Sequence, residues 1–506
     1  MGSRAIFFSI PTPERISPHL STDAVAVMNS TPYERGQWAV SVADAQTGEQ
    51  LVGYNTDVLL EPASVTKTYS SAGVWTQFGP DWRTVTPVVR TGRVVDGDLR
   101  GDLVLVAKGD ITMGGQTGSD GRVVFANWDH NDANSIPGMQ LADNRPLAGL
   151  RDLARQVRAA GIRSVTGQVV IDDRLFRTEA LGIDGPVSPI VINNNLIDVL
   201  TTPTTVGRTA KVVIRPVVAP WTVDNRTRTV KAGGATQVDV AATPAGVLRV
   251  TGTVAADADP VLRVYHLREP ARFARSALIQ ELERAGVRVR AATVGPNPAA
   301  SLPSSAAVRK LPVVARLRSL PLSEQARYVL KVSYNRGAQT FVCLLAVAAG
   351  SRDCDAGFPV LAMRLADLGV DPAQATLVDG SGLPGNYVTA RSATELMVAF
   401  AARPDWAVWR DALPVMGRDG SLVNVQADSP AAGHVFAKTG TLGAADLLNS
   451  RLRLETKALS GYVQAKSGRW LAVAIIVNQS VFDDIQGVFA ANEDLGKIAS
   501  SIWADY

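Results

Sequence analysis

Residues 83–310 divide the chain into unlike parts, and that division limits the folds open to it. Inside this stretch, Val-rich segments such as GDLVLVAKGD, GQVVIDD, KVVIRPVV and GVLRVTGTV alternate with clusters of Gly, Asp, Pro and Thr. Short apolar runs bounded by turn formers read as strands. Two helical patterns, PLAGLRDLARQVRAAG and EPARFARSALIQELERAG, punctuate them, and GPNPAASLPSSAAVRKLP reads as a linker.

The flanks have a different texture. Residues 37–54, QWAVSVADAQTGEQLVGY, predict two strands around a Thr-Gly turn. A helix is expected from Pro62 to Phe78, with Val65, Tyr69, Ala72, Trp75 and Phe78 forming a buried stripe. Pro62 suits a first helical position, and Gly79-Pro80 stops the run. Past residue 311, helices are expected over roughly 323–349, 357–369, 391–402 and 482–502. GHVFAKTGTL reads as a strand, and KALSGYVQA and RWLAVAIIVN as a hairpin joined at KSG. The expected architecture is α/β (α+β). Residues 20–82 and 311–506 form one domain, an antiparallel sheet flanked by helices. A mostly-β insertion at 83–310, in two subdomains, interrupts it.

Bulk numbers exclude several classes. A chain of 506 residues exceeds one simple core, and 46% hydrophobic with 19% charged residues is ordinary for a folded protein. The net charge is +4 with scattered Lys and Arg, so no nucleic-acid partner is expected. No apolar run approaches the length of a membrane span. The apolar patch in MGSRAIFFSIPTPERISPHL is too short for the core of a secretory signal, so no clear export signal is expected. The four His are dispersed and the two Cys, Cys343 and Cys354, form no CxxC, so no metal site is expected. A disulfide between these cysteines in an oxidising compartment and a pair of buried thiols are both open.

The chemistry lies in three short motifs. Ser64 and Lys67 in LEPASVTKTYS are three residues apart, on one face of the expected helix. A serine hydroxyl is a weak nucleophile until a base takes its proton, and a desolvated lysine can be that base. Alone the pair means little, because a chain of this length holds on the order of one such spacing by chance. Further on stand Ser333-Tyr334-Asn335 and Lys438-Thr439-Gly440-Thr441. Each pattern occurs once, in the order used by active-site serine penicillin-recognising enzymes. In that scheme Ser64 is acylated and Lys67 accepts its proton. Ser333 relays a proton to the leaving amine, Asn335 holds Lys67 and the substrate amide, and a charged Lys438 sets the local field. Thr439 and Thr441 offer hydroxyls to a substrate carboxylate, and Gly440 leaves room for substrate along the strand. The N–H groups of Ser64 and Thr441 form the expected oxyanion hole.

Four further segments sharpen the resemblance. LVDGSGLPGNYVTA, LPVMGRDGSL, the pair AKTGTL and LSGYV, and GDLVLVAKGDITM are similar to segments of the D-Ala-D-Ala carboxypeptidase/endopeptidase family. These are the class C low-molecular-mass penicillin-binding proteins. The long gap between Ser64 and Ser333 agrees, since that family inserts domains there and a simple class A β-lactamase does not. The resemblance implies a β-lactamase/transpeptidase-like catalytic domain, covalent binding of β-lactams, no cofactor, and work outside the cytoplasm. It implies cleavage of peptidoglycan stem peptides ending in D-Ala-D-Ala or carrying D-amino-acid cross-links. It places Asp379 and Ser381 in the loop beneath the site, as loop support, as a plain Gly/Asp turn or as a substrate contact. Tyr334 departs from the acidic or amide residue common in that motif, and leaves the shape of the cleft open.

Two alternatives stand beside this. One is an esterase or β-lactamase on the same scaffold; the other is a non-catalytic cell-wall-binding protein. Intact Ser64, Lys67, Ser333, Asn335 and Lys438 argue against the second. A Ser-His-Asp hydrolase is disfavoured because no G-x-S-x-G elbow is present and His434, four residues before Lys438, reads as structural.

Overall fold

The computed structural model describes residues 20–506, so the N-terminal apolar patch lies outside the described residues. The main sheet is built from both ends of the chain. Its strands are β1 (Gln37–Asp44), β2 (Gln50–Tyr54), β3 (Val435–Asp446), β4 (Arg451–Gln464) and β5 (Trp470–Phe482). They lie in the order β2-β1-β5-β4-β3, and every neighbouring pair is antiparallel. β5 sits at the centre, covered on both faces, and Leu471 to Asn478 are all buried. This explains why its sequence is a continuous apolar run instead of an alternating one. The β1–β2 turn is tied by Asp44, whose carboxylate accepts the N–H groups of Gln46 and Thr47 at 2.8 and 2.7 Å.

Helices cover both faces. One side carries α1 (Thr66–Phe78), α2 (Leu322–Lys331) and α3 (Asn335–Ala348), packed into a core with Trp75, Tyr328, Phe341, Phe400 and Trp409. The other side carries α4 (Gln486–Asp505) and the short helix Thr22–Met28. The α/β (α+β) class stands as expected. Helix α1 is not striped, however. Every residue from Thr66 to Trp75 is buried, because the helix runs through the middle of its layer. Gly73 lets it do so: a Cβ there would lie 2.5 Å from Leu361 Cδ1.

The intervening chain forms its own sheets. Val85–Arg90, Leu103–Val106 and Val169–Asp172 make one, and the Leu103–Val106 and Val169–Asp172 strands run parallel. The helix Ala148–Ala159 lies between those two strands in sequence. Leu196–Thr202, Lys211–Arg215 and Val261–His266 make another, and Thr222–Val230, Gln237–Ala242 and Val247–Ala255 a third.

Three local expectations need correction. Val313–Arg318, assigned by texture to the C-terminal part, pairs with Val85–Arg90 in the inserted sheet. The segment read as a linker is pinned to the insertion, since Asn297 both accepts from and donates to the backbone of Ile171, at 2.9 and 2.8 Å. The single helix expected over 323–349 is two helices, α2 and α3, broken at Val332–Tyr334. Ser333 stands in the break with φ +61°, a left-handed conformation that a helix interior excludes.

Candidate active site

The turn before α1 presents Ser64. Pro62 leads into a tight turn, Ala63–Val65, in which Ala63 adopts φ +44°. A left-handed alanine costs on the order of 1 kcal/mol and persists only where its surroundings enforce it. Here two backbone segments do so. Gly382, itself at φ +95°, packs so closely that a Cβ would sit 1.8 Å from the Ala63 carbonyl oxygen. A Cβ on Gly440 would sit 2.2 Å from the Pro62 carbonyl oxygen. Gly440 was expected to make room for substrate; the room is taken by the Ser64 turn itself. The result is a half-buried Ser64 at the head of a helix buried from Thr66 to Trp75.

Lys67 lies one turn on, with 0% of its surface exposed. Its Nζ is 2.6 Å from Ser64 Oγ and 2.8 Å from the Ser381 carbonyl oxygen. Burial pushes its pKa down to about 8, against the opposing pull of Asp379, then Asp132 and Asp184. A base poised near neutrality is what activation of a hydroxyl needs.

Asp379 organises the loop under Lys67. One carboxylate oxygen accepts from the N–H and hydroxyl of Ser381, both at 2.6 Å, and from the N–H of Gly382 at 2.8 Å. The other accepts from Leu383 N–H at 3.1 Å and from Asn386 Nδ2 at 2.7 Å. Asp379 and Ser381 are buried. Among the three roles open to them, the geometry is that of loop support.

The break between α2 and α3 delivers the second motif. Ser333 lines the same cleft as Ser64. Tyr334 turns inward against Tyr328, ring centres 5.5 Å apart, and is 1% exposed, so its side chain does not crowd the cleft. The amide of Asn335 donates to Asp184 Oδ2 at 2.7 Å, a partner from the insertion in place of the expected Lys67.

On β3, Lys438 is buried and its Nζ donates to the Thr439 carbonyl at 2.7 Å. The charge was expected on Lys438 and the free amine on Lys67. Burial depresses both, and Lys438 falls well below the ordinary lysine range through burial first and the charge on Lys67 second. A proton on either discourages one on the other. Thr439 Oγ1 lies 2.7 Å from Ser421 Oγ, and Thr441 Oγ1 accepts from Lys457 Nζ at 2.6 Å.

These groups meet in one cleft of about 420 Å³, lined by Ser64, Ser333, Asn335, Thr439, Thr441 and Asp132 among others. Asp132 is half-buried near both Lys67 and Lys438, and desolvation and then Asp184 raise its carboxyl to about 6. The sequence reading missed Asp132, Asp184, Ser421 and Lys457. Ser421 stood in the quoted GRDGSL run; the others carried no spacing signal. Cys343 and Cys354 are joined in a disulfide. Among the described residues they and Glu179 are the one group of three potential metal ligands, and the bridge leaves no thiolate in it.

A serine at a strained turn, bonded to a buried lysine and faced by Ser-x-Asn and Lys-Thr-Gly, has the form of an active-site serine acyltransferase centre. Comparison with known proteins gives the family. The model of the D-Ala-D-Ala carboxypeptidase 3 (S13) family matches residues 22–492, and the chain belongs to that family of serine peptidases. It is 29% identical over 488 residues to a D-alanyl-D-alanine carboxypeptidase of Actinomadura sp. (strain R39), covering 91% of this chain and 81% of that one. It is 27% identical over 493 residues to carboxypeptidase DacB of Mycolicibacterium smegmatis, covering 95% and 84%. In fold it resembles penicillin binding protein 4 (dacB) from Haemophilus influenzae, with TM-score 0.69, 17% identity and coverage of 96% and 99%.

Proposed function

We propose that this protein is a serine D-alanyl-D-alanine carboxypeptidase/endopeptidase that cleaves peptidoglycan stem peptides through an acyl-enzyme on Ser64. The observation that carries this reading is the 2.6 Å contact between Ser64 Oγ and a fully buried Lys67. Neutral Lys67 takes the hydroxyl proton as Oγ bonds to the carbonyl carbon of the penultimate D-residue. The C–N bond then breaks, and the proton passes by way of Ser333 to the leaving amine. Water hydrolyses the ester and restores Ser64. The N–H groups of Ser64 and Thr441 stabilise the oxyanion. Asn335, held by Asp184, presents its amide oxygen to the substrate N–H. Thr439 and Thr441 receive the substrate carboxylate.

The segment 83–310 acts as a positioning insertion, since Asp132 and Asp184 come from it. β-Lactams acylate Ser64 in the same way, their ring amide standing for the scissile bond. Family membership implies work outside the cytoplasm, and a disulfide suits an oxidising compartment. Among the described residues no helix is long and apolar enough to cross a membrane.

The test is incubation with benzylpenicillin followed by peptide mass mapping, beside turnover of a D-Ala-D-Ala peptide. A penicilloyl adduct on Ser64 with release of D-Ala, both abolished in Ser64→Ala, is expected. Full peptidase activity in Ser64→Ala would sink the assignment.

A further inference from the structure

Lys457 has no part in the scheme above, yet it is 1% exposed and touches the cleft wall. It sits on β4 directly opposite Thr441 of β3 and donates to Thr441 Oγ1 at 2.6 Å. Among the described residues no carboxylate forms an ion pair with it. A buried cation without an anion is costly, and proteins ordinarily pair or neutralise it.

The groups around Lys457 supply no such anion. β3 offers Thr441 and, further off, the Lys438 amine, which is no anion either. β5 opposes it with Val477, and the Ala63–Val65 turn has no acidic side chain. On β4 itself Glu455 is bonded to Arg453. On α4, Glu493 is bonded to Gln426 and Asp494 to Tyr33 and Lys497. Helix Ala390–Ala401 packs on β4, where Tyr462 bonds Met397; its Arg391 pairs with Asp57 and its Glu395 accepts from Gln374.

We propose that Lys457 is a positioning residue for carboxylate recognition: when charged, it fixes Thr441 as a hydrogen-bond donor to the anionic end of the substrate. The ammonium has only donors, so Thr441 Oγ must accept from it. The Thr441 proton is then directed away from Lys457, into the cleft that Thr441 lines. A bound carboxylate accepts that proton and brings the missing negative charge near both Lys457 and Lys438. Without its proton, Lys457 becomes an acceptor, Thr441 donates to it, and the cleft loses a donor. Burial lowers Lys457 to about 7, so this reversal falls within the working range.

The inference rests on the Ser64 acyl-enzyme reading and deepens it. The experiment measures second-order acylation of Ser64 by benzylpenicillin and by its neutral methyl ester, on both sides of pH 7. The ratio of the two rates cancels the titration of Lys67, which both compounds share. Wild type is expected to prefer the carboxylate and to lose that preference as pH rises through about 7. Lys457→Met is expected to lower the ratio by about tenfold and to flatten its pH dependence, the loss of one charge-assisted bond. Lys457→Gln keeps a neutral donor and covers the case in which the methionine variant does not fold. Its ratio is expected between the other two, with no pH dependence. Variants acylated with the wild-type ratio and pH profile overturn this inference alone. Absence of acylation in wild type by either compound overturns the Ser64 reading and this inference with it.

Discussion

Replacing Asp379 by Asn tests the loop that holds Lys67. The side chains are isosteric, so the change is one of hydrogen-bond polarity and charge. Five donors converge on the carboxylate, three on one oxygen and two on the other. In an asparagine one of those oxygens becomes an NH₂. In the better orientation the amide oxygen keeps the three donors from Ser381 and Gly382. The N–H of Leu383 and the amide of Asn386 then face another donor. Each lost acceptor costs about 1–2 kcal/mol, so the variant is expected to be less stable by about 2–4 kcal/mol. Lys67 also loses the strongest of the charges that hold its proton on, and its pKa falls below about 8. In the proposed mechanism the neutral amine is the active form, so the ascending acid limb of Ser64 acylation is expected to move to lower pH. Urea unfolding measures the first effect, and penicillin acylation across pH the second. A variant within about 0.5 kcal/mol of wild type, with the acid limb unmoved, would refute the reasoning.

Two further outcomes follow from the same geometry. Gly382→Ala places a Cβ against the Ala63 carbonyl and displaces the Ser64 turn. Acylation is expected to fall by about a hundredfold while circular dichroism shows a folded protein; near-wild-type acylation would contradict the packing described. Reduction of the disulfide, or Cys343→Ser with Cys354→Ser, opens a loop of sequence separation 11. It is expected to remove about 2–3 kcal/mol of stability, read as a lower melting temperature with reductant; identical melting would count against it.

Much of the site was legible because its chemistry is local. Ser64 and Lys67 share a helical turn, and Lys438 to Thr441 share a strand, so spacing alone put each pair in register. What stayed hidden depends on tertiary contact. Asp132 lines the cleft and Asp184 bonds Asn335, both from the insertion, far in sequence from the residues they influence. The helix break at Ser333 is masked because apolar residues recur at helical spacing through both α2 and α3. Lys457 stood in a segment read only as a hairpin strand, and nothing in that pattern says that its ammonium is buried against Thr441. Gly440 was explained by the wrong neighbour, since which backbone approaches it is decided by a turn far away in the chain.

The strand order of the main sheet also bears on how the protein is made. β1 lies between β2 and β5, and the Arg469–Asp44 pair that closes this junction spans 425 residues of sequence. At about 5–20 residues per second, one edge of β1 waits on the order of tens of seconds for its partner to be synthesised. Through that interval β1 and the segment of Ser64 and Lys67 have no sheet to dock against, while the insertion already has most of its own strands. The insertion is therefore positioned to fold first, and the Ser64 turn is assembled last, when the end of the chain arrives.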